Sequence, residues 1–417
     1  MTTQNSKLEA LTIDGLTHDG RGVGHFEGKA IFVADAIPGD IVSAKVIKHH
    51  DNFDDAKCIK IESDSKDRVE PFCPVYTECG GCQLQHMSVE GQLYWKNKNF
   101  ITKLIQAVDA KQCEVANPIT SIGLNYRRRA RLSLVISKKD KVARLGFKQR
   151  ASSTEVVDID SCPILTGALN RSIQENKAAL LETASRAYKE VTFVEAENGV
   201  FGVHDSNESA ALPFYTLNIN QPLKLEFPED GFIQVNKNLN EAMVENAMAW
   251  LDLKPEHKVL DLFCGVGNFT LPIAQKVKET VGIEGERELV DMAKSNAEIN
   301  QLDGVAFHKA NLFDEIMPKP WFKKQKYDRI LLDPGRQGAY EACKVLGKLN
   351  PHIIVYISCN AATLTRDVKE LEKQGYRLTK AGMIDMFPHT THTEVMVQLT
   401  RTHKAISKPK KRPVFKI

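Results

Sequence analysis

Nowhere does the sequence hold a run of about 18 apolar residues, the length a helix needs to span a bilayer. The first residues, MTTQNSKLEA, are polar and lack the apolar stretch of a secretory signal. No internal repeat is present. Nine cysteines are an odd number in a 417-residue chain without an export signal, which argues against a disulfide framework. Reduced thiols, metal ligands or a nucleophile are expected instead, in a cytoplasmic protein. What is present is enough apolar material, 42% of residues, for a sizeable core, and enough length for two or three domains.

The net charge of +3 conceals an uneven distribution. Residues 401–417 carry seven Lys or Arg and no acid. Residues 123–150 carry ten basic side chains (Arg127, Arg128, Arg129, Arg131, Lys138, Lys139, Lys141, Arg144, Lys148, Arg150) against Asp140 alone. The rest of the chain is net negative. Positive charge confined to two places fits surfaces that meet phosphates, hence nucleic acid for residues 123–150. A solubilising tail and a solvated strand pair are the plainer alternative.

Residues 9–62 alternate apolar and polar positions between glycine-rich turns, with strands at 10–16, 29–33 and 41–48, and predict a small β-barrel. A cysteine-rich stretch follows, then an amphipathic helix near 90–108. Residues 126–236 read as β-rich with one helical insertion at about 165–189. From about residue 257, strands at 258–263, 280–284, 305–309, 327–332, 352–358, 377–384 and 394–399 alternate with helices such as 268–275, 288–300 and 338–349. This alternation predicts an α/β domain with a mostly parallel, seven-stranded sheet covered on both faces. The expected domains are a barrel over 1–65, a β-rich central domain over 66–232, the α/β domain over 233–403 and a disordered basic tail over 404–417.

VLDLFCGVGNF (259–269) places an apolar strand before a Gly-x-Gly turn and a helix, the site of a ligand at the strands' carboxyl ends. Glu284 ends the next strand, placed to accept both hydroxyls of a ribose. A nicotinamide dinucleotide fits less well, because Thr270 occupies the position of its third Gly or Ala. Asp261, before the turn, suits a cationic cofactor and favours S-adenosylmethionine over an ordinary tight turn.

The fifth strand ends VYISCN (355–360), which brings Cys359 to the same sheet edge. If the last strand runs antiparallel, its first residue, Glu394, arrives there too. Taken singly, a strand-end Cys is usually a packed thiol and a strand-start Glu a solvated one. Together they suit methylation of uracil at C5. That carbon becomes nucleophilic only when a thiolate adds to C6, and a base must then remove the C5 proton. The thiolate needs surroundings that favour it. LLDPGRQG (331–338) brings Asp333 and Arg336 to the rim, with Asp333 able to read the uracil edge. The loop has no cysteine, which counts against 5-methylcytosine enzymes.

In order and spacing, DLFCGVGNF, LLDPGRQG, SCN and FPHTTHTE resemble the RNA (uracil-5-)-methyltransferases over nearly the whole chain. The resemblance implies a class I (Rossmann-like) methyltransferase domain, with Cys359 as nucleophile and Glu394 as base. It puts Gln234, Phe263, Asn268, Glu284, Asn311 and Asp333 at the cofactor contacts. Family members commonly read SCNP where this chain has Ala361, and Gly335 stands in a variable slot.

Cys73, Cys79 and Cys82 follow a C-x5-C-x2-C spacing, and Cys162 lies further on. Four such thiolates fit an iron–sulfur cluster or a zinc site. The resemblance implies a [4Fe-4S] cluster in a structural role. Cys58, Cys113, Cys264 and Cys343 read as packed thiols. The barrel resembles a TRAM domain, and TRAM with the four cysteines implies the subgroup that acts on 23S ribosomal RNA; a monomer is expected. The rival readings are a tRNA methyltransferase, an RNA-binding protein without catalysis, and an iron–sulfur radical enzyme. The last usually needs a tighter C-x3-C-x2-C cluster.

Overall fold

The computed structural model describes residues 7–108, 110–150, 152, 154–202 and 211–402; the basic tail lies outside them. β1 (Lys7–Leu16), β2 (Gly22–Phe26), β3 (Lys29–Ala34), β4 (Ile41–His49) and β5 (Phe53–Ser63) close a barrel in the order β1-β2-β3-β5-β4. Alternate side chains, among them Leu11, Ile13, Ile31, Val33, Val42 and Ala44, fill its interior. Gly22 lets the wall close: a Cβ there would stand 2.8 Å from the Ala36 carbonyl oxygen.

α1 (Val89–Asn97) starts at Ser88, whose hydroxyl accepts the Gly91 N–H. A π-helical turn, Lys98–Thr102, leads into α2 (Lys103–Ala107). Phe100, Ile101 and Leu104 of this stretch pack into the core of the α/β sheet. β6 (Glu114–Val115) follows.

In the central region β7 (Arg129–Ile136), β8 (Ala143–Lys148), β9 (Val156–Asp158), β10 (Lys189–Ala196) and β11 (Gly199–Gly202) form an antiparallel sheet in the order β11-β10-β7-β8-β9. α3 (Gly167–Glu182) covers it through Leu169, Ile173 and Leu180. The hairpin of β12 (Phe214–Leu217) and β13 (Leu223–Glu226) packs Tyr215 and Leu225 against Val266 and Leu271.

The remaining elements are α4 (Lys237–Trp250), β14 (Lys258–Leu262), α5 (Thr270–Ala274), β15 (Glu279–Glu284), α6 (Arg287–Ile299), β16 (Val305–Lys309), β17 (Arg329–Leu332), α7 (Tyr340–Cys343), β18 (Ile353–Ser358), α8 (Ala361–Lys373), β19 (Tyr376–Ile384) and β20 (Glu394–Arg401). Their sheet runs β16-β15-β14-β17-β18-β20-β19-β6, with β20 antiparallel to both neighbours. It has eight strands where seven were expected. The eighth is β6, whose two exposed residues pair parallel with Lys380 and Ala381 and are too short to carry an alternating pattern. The carboxyl ends of the parallel strands and the start of β20 meet at one edge. No helix among the described residues is long and apolar enough to cross a membrane.

Candidate active site

Beyond β14 the chain turns back through Phe263, Gly265 and Gly267, all at positive φ (67°, 53° and 100°). Glycine supplies two of these positions without strain, and a Cβ at 267 would press on Leu271 at 2.9 Å. Glu284 braces the turn: its carboxylate accepts the Gly265 N–H at 3.0 Å and the Gly285 N–H at 2.6 Å. Asn268 forms a reciprocal amide pair with Asn240 of α4, 2.9 Å in each direction, and accepts the Tyr215 hydroxyl at 3.0 Å. Asn240 and Tyr215 were not legible in the sequence, because they lie outside every motif and only the tertiary fold brings them here.

The turn opens into a cavity of about 750 Å³, a volume suited to a small molecule. Gln234, Phe263, Asn268, Glu284 and Asp333 line it, together with Cys359 and Glu394. The Gln234 Oε1 is buried with no hydrogen-bond partner among the described residues. Asn311 is elsewhere: it is exposed, bonds to Asp314 at 2.9 Å and does not line the cavity. Asp261 also stays behind the wall. It is fully buried and accepts the Thr270 hydroxyl at 2.5 Å, and burial pushes its pKa up to about 8. A neutral carboxyl sealed beneath the turn differs from the direct counter-charge expected from the sequence.

Ser358 pairs with Val395 in the antiparallel β18–β20 ladder, so Cys359 and Glu394 are the next opposed positions at the edge. Burial, then the charge of Asp333, pushes the Glu394 carboxyl up to about 8. Burial likewise raises Asp333 to about 7. Cys359 is half-buried, and its thiol is raised by burial, then by Glu394 and Asp333, while Arg336 opposes them. In the free protein the surroundings therefore favour the thiol rather than the thiolate expected from the sequence. The Glu394 Oε2 is buried and accepts no hydrogen bond from any described residue.

The segment around Cys359 is held firmly although Ala361 stands where a proline was expected. Asn360 caps α8 by accepting the N–H groups of Ala362 (3.0 Å) and Thr363 (3.4 Å), and it donates to the Arg336 carbonyl at 3.0 Å. Ser358 Oγ accepts the Asn360 N–H at 3.1 Å.

The sequence profile of the tRNA (Uracil-5-)-methyltransferase family matches residues 215–402, and that of the TRAM domain residues 3–59. The 23S rRNA (uracil(1939)-C(5))-methyltransferase RlmD of Aliivibrio fischeri is 38% identical, over 95% of this chain and 97% of the relative. The protein of the same name from Shewanella halifaxensis is 37% identical over 94% and 95%. The chain belongs to the RNA (uracil-5-)-methyltransferase family. The Pyrococcus abyssi tRNA (uracil-54, C5)-methyltransferase, solved in complex with S-adenosyl-L-homocysteine, shares the fold at TM-score 0.70. It is 24% identical, and the match covers 93% of this chain and 99% of that one.

Two further groups of this family member border the cavity. Cys73, Cys79, Cys82 and Cys162 line its far wall. Burial, then the neighbouring Cys162, Cys79 and Cys73, pushes the Cys82 thiol up to about 12. Four thiolates gathered here would need a compensating positive charge, as a metal centre supplies. The side chains are not drawn into a finished metal site, since among the described residues no three His, Cys, Asp or Glu stand in a metal-holding arrangement.

The basic run divides by strand alternation. Arg131 is exposed and lines the cavity, as does Arg127. Arg128 faces inward like Ala130 and Leu132; it is 5% exposed, donates to the Gln234 carbonyl at 2.9 Å and covers the Tyr215 ring at 4.6 Å. It is a packing residue rather than a phosphate contact, and the period-two pattern was the signal for this.

Proposed function

We propose that this protein methylates C5 of a uridine in 23S ribosomal RNA, with Cys359 as nucleophile and Glu394 as base. The observation that carries the reading is the meeting of these two side chains at the rim of the cavity braced by Glu284 and Asn268. S-adenosylmethionine, held against Phe263, Glu284, Asn268 and Gln234, supplies an electrophilic methyl group. The Cys359 sulfur adds to C6 of the flipped base, and the electron pair of the broken C5–C6 π bond makes C5 nucleophilic. C5 takes the methyl, and S-adenosylhomocysteine leaves. Glu394 then accepts the C5 proton, the double bond re-forms, and the C6–S bond breaks to return the thiolate. Its unengaged, buried oxygen suits this task; with a pKa near 8 Glu394 is mostly protonated in the free protein at neutral pH, and once ionised it is a stronger base than a solvated carboxylate. Arg336 is the cation that favours the thiolate.

A [4Fe-4S] cluster on Cys73, Cys79, Cys82 and Cys162 would supply positive charge and a cross-link between residues 73–82 and 162, with no electron required by methyl transfer. The barrel over 1–65 and the central domain over 66–232 would grip RNA beside the catalytic domain over 233–403. The protein would act in the cytoplasm as a monomer, since one chain supplies every reacting side chain.

The ribosomal substrate is favoured by the full-length relatives, and a tRNA substrate by the name of the family profile. Incubating the protein and cofactor with unmodified 23S rRNA or with tRNA, followed by nucleoside analysis, separates them. 5-Methyluridine in the ribosomal RNA alone is expected; 5-methyluridine in tRNA alone overturns the substrate assignment.

A further inference from the structure

Glu394 follows a loop, 387–393, whose shape is set from outside the α/β sheet. His389, five residues before Glu394, has φ +65°, a left-handed conformation that a non-glycine residue holds only when its surroundings impose it. Gln92 of α1, 2% exposed, is one of the groups that hold it. Its side-chain oxygen accepts the His389 N–H at 2.9 Å, while its amide nitrogen donates to the carbonyls of Leu84 (3.0 Å) and Met87 (2.8 Å). The His389 carbonyl accepts the N–H groups of Gln83 (3.0 Å) and Leu84 (2.9 Å), directly after Cys82. Gln83 also accepts the Thr391 N–H at 3.4 Å. At the loop's start, Lys96 donates to Asp385 (2.7 Å) and to the Phe387 carbonyl (3.2 Å).

Glu394 pairs with Ile384 at the first rung of the β19–β20 ladder and its Oε2 receives no hydrogen bond from the described residues, so that rung and the loop that closes it set the carboxylate's aim. We infer that Gln92 is a positioning residue for the proton-removal step, acting through the His389 bend with the support of Gln83. The inference rests on the reading of Glu394 as base. Cys359 stands on the neighbouring strand, held by Ser358 and Asn360, so the placement of the nucleophile does not depend on this clamp. A slack loop, though Phe387, Thr390 and His392 also line the cavity, would slow removal of the C5 proton more than the steps before it. The methylated RNA would then stay bonded to Cys359.

The test uses full-length protein, methyl-labelled S-adenosylmethionine and unmodified 23S rRNA. It compares wild type, Gln92→Ala, Gln92→Glu, Gln83→Ala and Glu394→Gln. The readouts are labelled protein–RNA adduct that survives denaturing gels, and free methylated RNA. Gln92→Ala should accumulate adduct, with release slowed about tenfold, the effect of a modest loss of transition-state alignment. Gln92→Glu keeps an acceptor for the His389 N–H but turns an acceptor toward the Leu84 and Met87 carbonyls, so it should accumulate adduct as Gln92→Ala does. If Gln92→Ala does not fold by thermal melting, Gln83→Ala, at a half-buried site, should show the same build-up on a smaller scale. A folded Gln92 or Gln83 variant that loses product without gaining adduct, or turns over like wild type, overturns the positioning role. Glu394→Gln distinguishes the underlying reading: no labelled adduct in that variant would overturn Glu394 as base, whatever the Gln92 result.

Discussion

Two cysteine sites share the walls of one cavity, yet different physics holds each in place. Cys359 comes from the end of a regular strand, where ladder register puts it opposite Glu394 and helix α8 begins at its neighbour Asn360. Cys73, Cys79, Cys82 and Cys162 come from loops, joined to the sheets by single bonds such as the Cys79–Gln149 bridge and the Gly80 N–H to the Lys148 carbonyl at 2.9 Å. The first arrangement is preorganised by the fold, and a side-chain change there should alter chemistry. The second gathers one buried and three half-buried thiols without completing a metal geometry among the described residues, and a change there should alter stability.

The sharpest test of that contrast is Cys359→Ala. Without a nucleophile, methyl transfer should fall by at least about a thousandfold. The melting temperature should stay near wild type, because half of this side chain faces the cavity. A large loss of stability would break the contrast. Cys162→Ala, in turn, should abolish bound metal as measured by elemental analysis and lower the melting temperature by on the order of 5 °C. Unchanged melting with the metal gone would remove the structural role.

Smaller effects should follow pH. The Cys359 thiol is raised, so its thiolate fraction, and with it the rate, should climb from neutral to alkaline pH. Arg336→Gln removes the opposing cation. It should slow turnover about fivefold at pH 7 and shift the profile to higher pH, with the loss shrinking as pH rises. An unshifted profile would mean that Arg336 acts on RNA instead. Smallest is the effect on folding. Glu394, Asp333 and Asp261 have folded-state pKa values raised to about 8, about 7 and about 8. The stability they contribute is complete below their unfolded values and is lost as pH rises through about 7 to 8. Melting of the free protein should therefore drop by a few degrees between about pH 5 and pH 9, and Glu394→Gln should flatten the drop.

The same contrast explains what the sequence disclosed. Cys359, Glu394 and the glycine turn were legible because each sits at a strand terminus, and one topological assumption, an antiparallel last strand, brings them together. Glu284 was legible for the same reason. Asn240, Tyr215 and Gln92 were not, since each reaches the site from an element whose packing no local pattern reveals. β6 was too short to register. Arg128 departs from the charge pattern because alternation groups it with the buried Ala130 and Leu132. That Cys359 rests as a thiol in the free protein is a three-dimensional property of burial and two carboxyls.

The central claim is a covalent bond from one sulfur to the target pyrimidine. RNA carrying 5-fluorouridine at the modified position has no C5 proton to surrender, so once methylated it cannot leave the enzyme. Incubated with S-adenosylmethionine, the wild-type protein should form a denaturation-resistant complex, and peptide mapping should find the nucleotide on Cys359. A complex mapped to another cysteine, or turnover with no complex at all, would contradict the account.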